Sequence, residues 1–398
     1  MQSGQDIIAL LMPPGDIDPH GTLRFGTETY RAAFEEIGYR TRVFELSGLD
    51  RAMIEALRSP RIKAVFSDGG WIHRAFGGSA NAPQPLCDLI GKPLVILISD
   101  SPCSYWLGPI LGRDRENQTT VFIDADFAVQ WSRWAAKAGT HQVYIPACPD
   151  LGPDMPDAER SIDRLAVVAL RRPEFYRDLV RDRLKDDALL RVFDAIVDAC
   201  LFDTLSPFSA VCDDVCRSLD AHLNYKSATV RSFLFSVDQF IRNRRREIML
   251  NRLCSHPITL VGSAEGVRVH PDTRIMPPMP HARLVELYRR ARCVIFSPPY
   301  SGGITERMVH PMAAGALVVA PPTSLSDRLL GRDRLFITAR TDFSDMDACL
   351  ERALDPVQRR RIAGDALVYA RQRLSPAATV RRFLGEPDAP PLDAALPA

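Results

Sequence analysis

FSPPYSGGITERMVHPMAAGALVVA, Phe296 to Ala320, is the stretch that decides the fold. Val294 to Phe296 is a short apolar run of the kind a buried parallel strand needs, and Pro298-Pro-Tyr-Ser-Gly-Gly303 breaks it. Helix is expected to resume near Thr305, whose hydroxyl is placed to cap the first free amides. Glu306 falls in the first turn, where the helix dipole favours negative charge, and Gly315 stands where a helix C-terminus favours glycine. Met308, Val309, Met312 and Ala313 form an apolar stripe, with Glu306 and His310 at a spacing of one helical turn on the neighbouring face. Leu317 to Ala320 reads as the next buried strand. Such a unit puts a loop and a helix start at the carboxyl end of a parallel strand, where open α/β sheets bind ligands and free amides suit a phosphate.

Outward from this stretch, residues 1–150 alternate apolar runs with helical segments, as a doubly wound parallel sheet does. Strands are expected at Ile7 to Met12, Thr41 to Phe44, Ala64 to Ser67, Leu94 to Ser99, Val121 to Ile123 and Val143 to Ile145, with a helix from Glu28 to Gly38. No GxGxxG follows the first strand, which removes the main support for a dinucleotide-dependent oxidoreductase. Residues 151–163 read as a linker, and 164–385 as a second α/β unit opening on the Leu165 to Leu170 strand. That unit carries a helical insertion over about 175–253, interrupted near Ser206-Pro207 and Asn224. The arginines between Arg242 and Glu247 read as a solvated helix face, since no aromatic residues interleave them as in a nucleic-acid patch. The proline-rich 386–398 reads as an extended tail.

The run Gly303-Ile-Thr-Glu-Arg-Met308, followed by Met312-Ala-Ala-Gly-Ala-Leu-Val-Val319, resembles the donor-site helix of GT-B glycosyltransferases. It is most similar to the bacterial spore-maturation-like group, whose pattern is roughly ERVFEAMACGA, and the resemblance covers mainly Ile258 to Thr338. It implies two Rossmann-like α/β domains facing across a cleft, the first on the acceptor side and the second binding a nucleotide-diphosphate sugar. It also implies metal-independent transfer of the sugar to a hydroxyl-bearing acceptor of unspecified kind, with no bound cofactor. Within that family the first Glu and the Arg lie near the sugar and diphosphate, positions held here by Glu306 and Arg307. A second Glu holds the ribose hydroxyls, and at that position this chain has His310. The departure keeps open a non-catalytic domain that binds a sugar nucleotide or a partner, and a nucleotide-sugar epimerase or hydrolase on the same fold is a further reading.

Glycosyl transfer needs positive charge or helix amides at the departing diphosphate, and in some enzymes a base for the acceptor hydroxyl. For the diphosphate the candidates are Arg307, the amides of Gly302 and Gly303, and Arg171 and Arg172 after the second unit's first strand. Gly262 stands where a nucleotide would pass close to the backbone, and the resemblance places His281 near the base pocket. Acceptor-side base candidates are Asp100, Asp68 and His73, the two aspartates each directly following an apolar strand. Their plainer role is that of turn residues accepting local amide hydrogen bonds.

The 398-residue chain has room for two cores, and its formal net charge of +1 gives no general attraction to nucleic acid or an anionic membrane. No apolar run approaches the roughly 20 residues of a bilayer span, and no secretory leader is evident, so a cytoplasmic protein is expected. The nine cysteines lack zinc spacings and read as reduced, mostly buried thiols.

Overall fold

The computed structural model describes residues 6–45, 51–69, 86–104, 116–134, 140–152, 154–299, 302–386 and 389. His73 and the tail beyond 389 lie outside them. Two six-stranded sheets carry the chain, and every strand pair in both is parallel. The first comprises β1 (Ile7–Met12), β2 (Arg40–Glu45), β3 (Ile62–Asp68), β4 (Leu94–Ile98), β5 (Gln118–Phe122) and β6 (Thr140–Val143), in the order β2-β1-β3-β4-β5-β6. In the second, β7 (Ile162–Ala169), β8 (Thr259–Ser263), β9 (Arg274–Met276), β10 (Ala291–Ile295), β11 (Leu317–Ala320) and β12 (Ile337–Thr338) run β12-β11-β10-β7-β8-β9. Both orders reverse next to the first strand, creating switch points at which ligands bind beyond the strands' carboxyl ends.

Several boundaries differ from the sequence reading. Helix α1 spans Thr22–Glu36 rather than starting at Glu28, because the Asp18 carboxylate accepts the amides of Thr22 and Arg24, each at 2.8 Å. Next come α2 (Arg51–Arg58), α3 (Leu86–Ile90) and α4 (Ala125–Trp134). The helical insertion is four helices, α5 (Glu174–Leu184), α6 (Asp187–Cys200), α7 (Phe208–Ser218) and α8 (Ala228–Leu253). An unread break separates α5 from α6, where Lys185 takes φ +49° and Asp186 caps the new helix. The arginine-rich stretch in α8 is no solvated face: Arg242 and Arg245 are buried. Arg242 pairs with Asp238 one turn earlier. Arg245 donates to the carbonyls of Cys200, Leu201 and Asp203, satisfying orphan acceptors at the end of α6.

The insertion does not stay with the second sheet. Phe193, Phe233 and Val237 join the same apolar cluster as Leu10, Val65 and Ile96 of the first sheet. Arg133 of α4 forms a forked ion pair with Asp213 of α7, at 3.0 and 2.6 Å. Farther along α8, Met249, Leu250 and Leu253 instead pack with Leu260, Cys293 and Val319 of the second sheet. After α9 (His281–Arg290), α10 (Glu306–Ala313), α11 (Ser324–Leu330), α12 (Met346–Leu354) and α13 (Pro356–Arg373), the chain crosses back: α14 (Pro376–Leu384) packs on α1, with Phe383 against Tyr30 and Tyr144. Eight of the nine cysteines are buried, and all are free thiols. Among the described residues no helix is long and apolar enough to cross a membrane.

Candidate functional site

The expected strand-loop-helix unit forms as β10, a loop, α10 and β11. Met308, Val309, Met312 and Ala313 are buried, and Gly315 takes φ +69° beyond the helix end. Thr305 is the N-cap in its backbone, but its hydroxyl makes no capping hydrogen bond and is buried without a partner among the described residues. Glu306 opens the helix.

This helix start faces the carboxyl ends of the first sheet. A cavity of about 100 Å³ between the two sheets is lined by Asp68 at the end of β3, by Phe25 and Tyr30 of α1, and by His281, Glu306 and His310. Four residues singled out from sequence, in segments more than 200 residues apart, therefore meet at one point. Asp68 is half-buried, and desolvation, then the charges of Glu306 and Asp18, pushes its carboxyl up to about 7. A carboxyl poised near neutrality in a cleft can both take and return a proton. Ser99, not its neighbour Asp100, lines this cavity, so geometry separates the two aspartates that the sequence treats alike.

His310 is not turned out to solvent. Its Nε2 lies 3.3 Å from the Ala147 carbonyl oxygen, which can only accept, so the proton resides there. Its Nδ1, 3.1 Å from His281 Nε2, must then accept from that second imidazole. Burial, reinforced by His281, pushes His310 down to about 3, and burial also lowers His281. Both rings are therefore neutral at physiological pH, and both His310 nitrogens are engaged within the protein. Phe25 packs over the pair, 4.8 Å from His281 and 6.2 Å from His310 between ring centroids. The His281 amide also donates to the His20 carbonyl at 2.9 Å, so α9 begins against the first domain.

A residue missed from sequence, Asp124, bridges the same two domains. Its Oδ2 accepts the Gly302 amide at 2.8 Å and its Oδ1 the Asp126 amide at 2.8 Å. The Gly302 amide is thus already committed and not free for a diphosphate. A Cβ on Gly302 would fall 2.3 Å from Asp124 Oδ1, so glycine is what permits the approach. Burial pushes the Asp124 carboxyl up to about 7. The sequence signal was available, since Asp124 follows an apolar run as Asp68 and Asp100 do.

The remaining candidates disperse. Arg307 is half-buried beside Glu306, and its guanidinium makes no hydrogen bond or ion pair with a described residue. Arg171 and Arg172 are exposed beyond β7, on the strand adjacent to β10, and line other cavities. Gly262 lies within β8 at φ +121°, where a Cβ would sit 1.9 Å from the Val168 carbonyl oxygen. Its glycine is thus required by the neighbouring strand, a reason the sequence reading did not supply. Among the described residues no three His, Cys, Asp or Glu side chains converge to hold a metal ion.

Residues 242–385 match a family model described as glycosyl transferase-like. No curated protein matches the chain. Among solved structures, sucrose-phosphate synthase from Thermosynechococcus elongatus is similar at 12% identity and a TM-score of 0.53, over 96% of this chain and 98% of that one. HepE of Anabaena, in complex with UDP and glucose, is similar at 11% identity and a TM-score of 0.50, over 96% and 98%. An α-glucosyltransferase in complex with UDP and a 13-mer DNA is similar at 9% identity and 0.51, over 96% and 99%. At such identities the likeness is one of fold.

Proposed function

We propose, from a GT-B frame whose C-terminal domain is glycosyl transferase-like, that this chain moves a sugar from a nucleotide diphosphate to an acceptor hydroxyl in the cleft between its domains. The observation that carries the reading is the meeting of Asp68 with Glu306 across that cleft. In the step envisaged, the bond from the anomeric carbon to the diphosphate breaks, its electron pair leaving on the diphosphate oxygen. The acceptor oxygen forms the new bond to that carbon and its proton passes to Asp68. Glu306 orients the sugar hydroxyls, while Arg307, with Arg172 from the adjacent strand end, neutralises the leaving group. The pocket of about 100 Å³ is too small for a nucleotide sugar, so the donor enters as the α10 start moves away from Asp124 and Ala147.

A binding function without turnover is favoured by one observation, the engagement of both His310 nitrogens, which leaves that ring no spare acceptor for a ribose. Melting the protein with UDP-, GDP-, ADP- and dTDP-sugars, and assaying released nucleotide, separates the readings. A matching donor at 100 times its Kd adds about 2.7 kcal/mol of stability. Arg307→Ala is expected to weaken that donor about tenfold or more, the loss of one charge-assisted contact worth about 1.5–3 kcal/mol. Nucleotide release supports transfer; a melting shift without release supports the binding module. No shift with any donor sinks both.

A further inference from the structure

A second cavity is larger than the one at Asp68. About 770 Å³ opens between α5 and α8, beyond the carboxyl ends of β7 and β8. This volume lies within the range that encloses whole small molecules. A parallel crossover needs one helix, and this one has four, so the cavity belongs to the insertion rather than to the minimal sheet. Its walls are mainly apolar and aromatic, with Phe175 and Leu179 on α5 and Phe235 on α8, and Ser236, Gln239 and Asn243 of α8 add neutral polar groups. Its charged lining is three arginines, Arg171, Arg183 and Arg246, against the single Glu265. Arg246 donates to the Ala169 carbonyl at 3.0 Å. The guanidiniums of Arg171 and Arg183 make no hydrogen bond or ion pair with a described residue, although the Arg171 backbone is pinned by its amide donating to Asn243 Oδ1 at 2.9 Å. A largely apolar cavity with two guanidiniums unpaired among the described residues, Arg171 and Arg183, matches a molecule with an apolar body and an anionic head.

We propose that this cavity is a binding site for an anionic amphiphile, its apolar body between α5 and α8 and its head against Arg171. Because β7 lies beside β10, from which the loop to Glu306 departs, the head emerges next to the cleft. On the transferase reading, and only on it, the amphiphile is the acceptor.

Calorimetric titration tests the site without needing turnover. Decyl phosphate, kept below its micelle-forming concentration, is expected to bind one to one, with decanol at least tenfold weaker and inorganic phosphate showing no saturable heat. Ser232→Trp, which fills the mouth from an exposed position on α8, should weaken decyl phosphate at least tenfold. Should that variant melt below the wild type, Leu179→Asp serves instead, placing like charge against the ligand's path. Arg171→Ala should reduce decyl phosphate to the affinity of decanol. Absence of decyl phosphate binding, or binding that Ser232→Trp and Leu179→Asp leave unchanged, overturns the proposal. So does UDP binding that Ser232→Trp abolishes, since the cavity would then belong to the donor. Amphiphile binding without donor turnover upholds the site and removes only its role as acceptor; donor turnover without amphiphile binding overturns the site and leaves the transferase reading standing.

Discussion

Asp68→Asn is expected to lower kcat for sugar transfer about 10²–10⁴-fold, the usual contribution of a positioned proton acceptor, while the melting shift caused by the donor persists. The wild-type rate should rise with pH through about 7, where burial and Glu306 place the Asp68 carboxyl, because only the ionised form accepts a proton. In the variant that limb disappears. Stability moves in the opposite sense. The folded carboxyl titrates at about 7 against an ordinary 3.8, so its contribution is fully present below pH 4 and is lost as pH rises through 7. The uncharged amide escapes that loss, and Asp68→Asn should be more stable than the wild type at pH 8 by on the order of 4 kcal/mol, converging with it below pH 4. His310 runs the other way: pushed from 6.5 to about 3, it contributes stability above pH 6.5 that is lost as pH falls toward 3. Unchanged turnover in the asparagine variant would remove Asp68 from the chemistry, whatever its effect on melting.

Gly262→Ala is expected to destabilise the fold by about 3–5 kcal/mol, at the severe end for a single methyl group. Two causes add. The backbone at φ +121° lies outside the range of L-residues, and the new Cβ would lie 1.9 Å from a carbonyl oxygen of the paired strand. Gly266→Ala isolates the first cause, since Gly266 has φ +76° with nothing within 4 Å of the added atom. It should cost about 1–2 kcal/mol. Equal losses in the two variants, measured by chemical denaturation, would show that strand proximity is not what fixes this glycine.

What the sequence made legible was local. The run from Val294 to Ala320 contains its own strand, breaker, helix and strand, and all four form close to where their residues imply, because each depends on neighbours within a turn or two. The burial of Arg242 and Arg245 was hidden, since their partners at Asp238 and the end of α6 become visible only once the helices pack. Asp124 carried the same local sign as Asp68 and Asp100, an Asp after an apolar run, but the partner that gives it its role, Gly302, is 178 positions away. Asp68 and Asp100 carry the same local sign, and only the facing helix α10 distinguishes them. His310 was legible as a departure from the pattern it resembles, but the direction of its two hydrogen bonds depends on Ala147 and His281, neither adjacent to it in sequence.

Helix α8 is about 39 Å long at 1.5 Å per residue, and it contributes to both hydrophobic cores. Phe233, Leu234 and Val237 serve the first, Met249, Leu250 and Leu253 the second, with no loop between them to absorb a separation. Melting either core therefore withdraws half the helix from the other, and the two domains should unfold as one cooperative unit. A single calorimetric endotherm, with van't Hoff and calorimetric enthalpies equal, is the signature; two resolved endotherms would mean that α8 frays at its middle and transmits nothing.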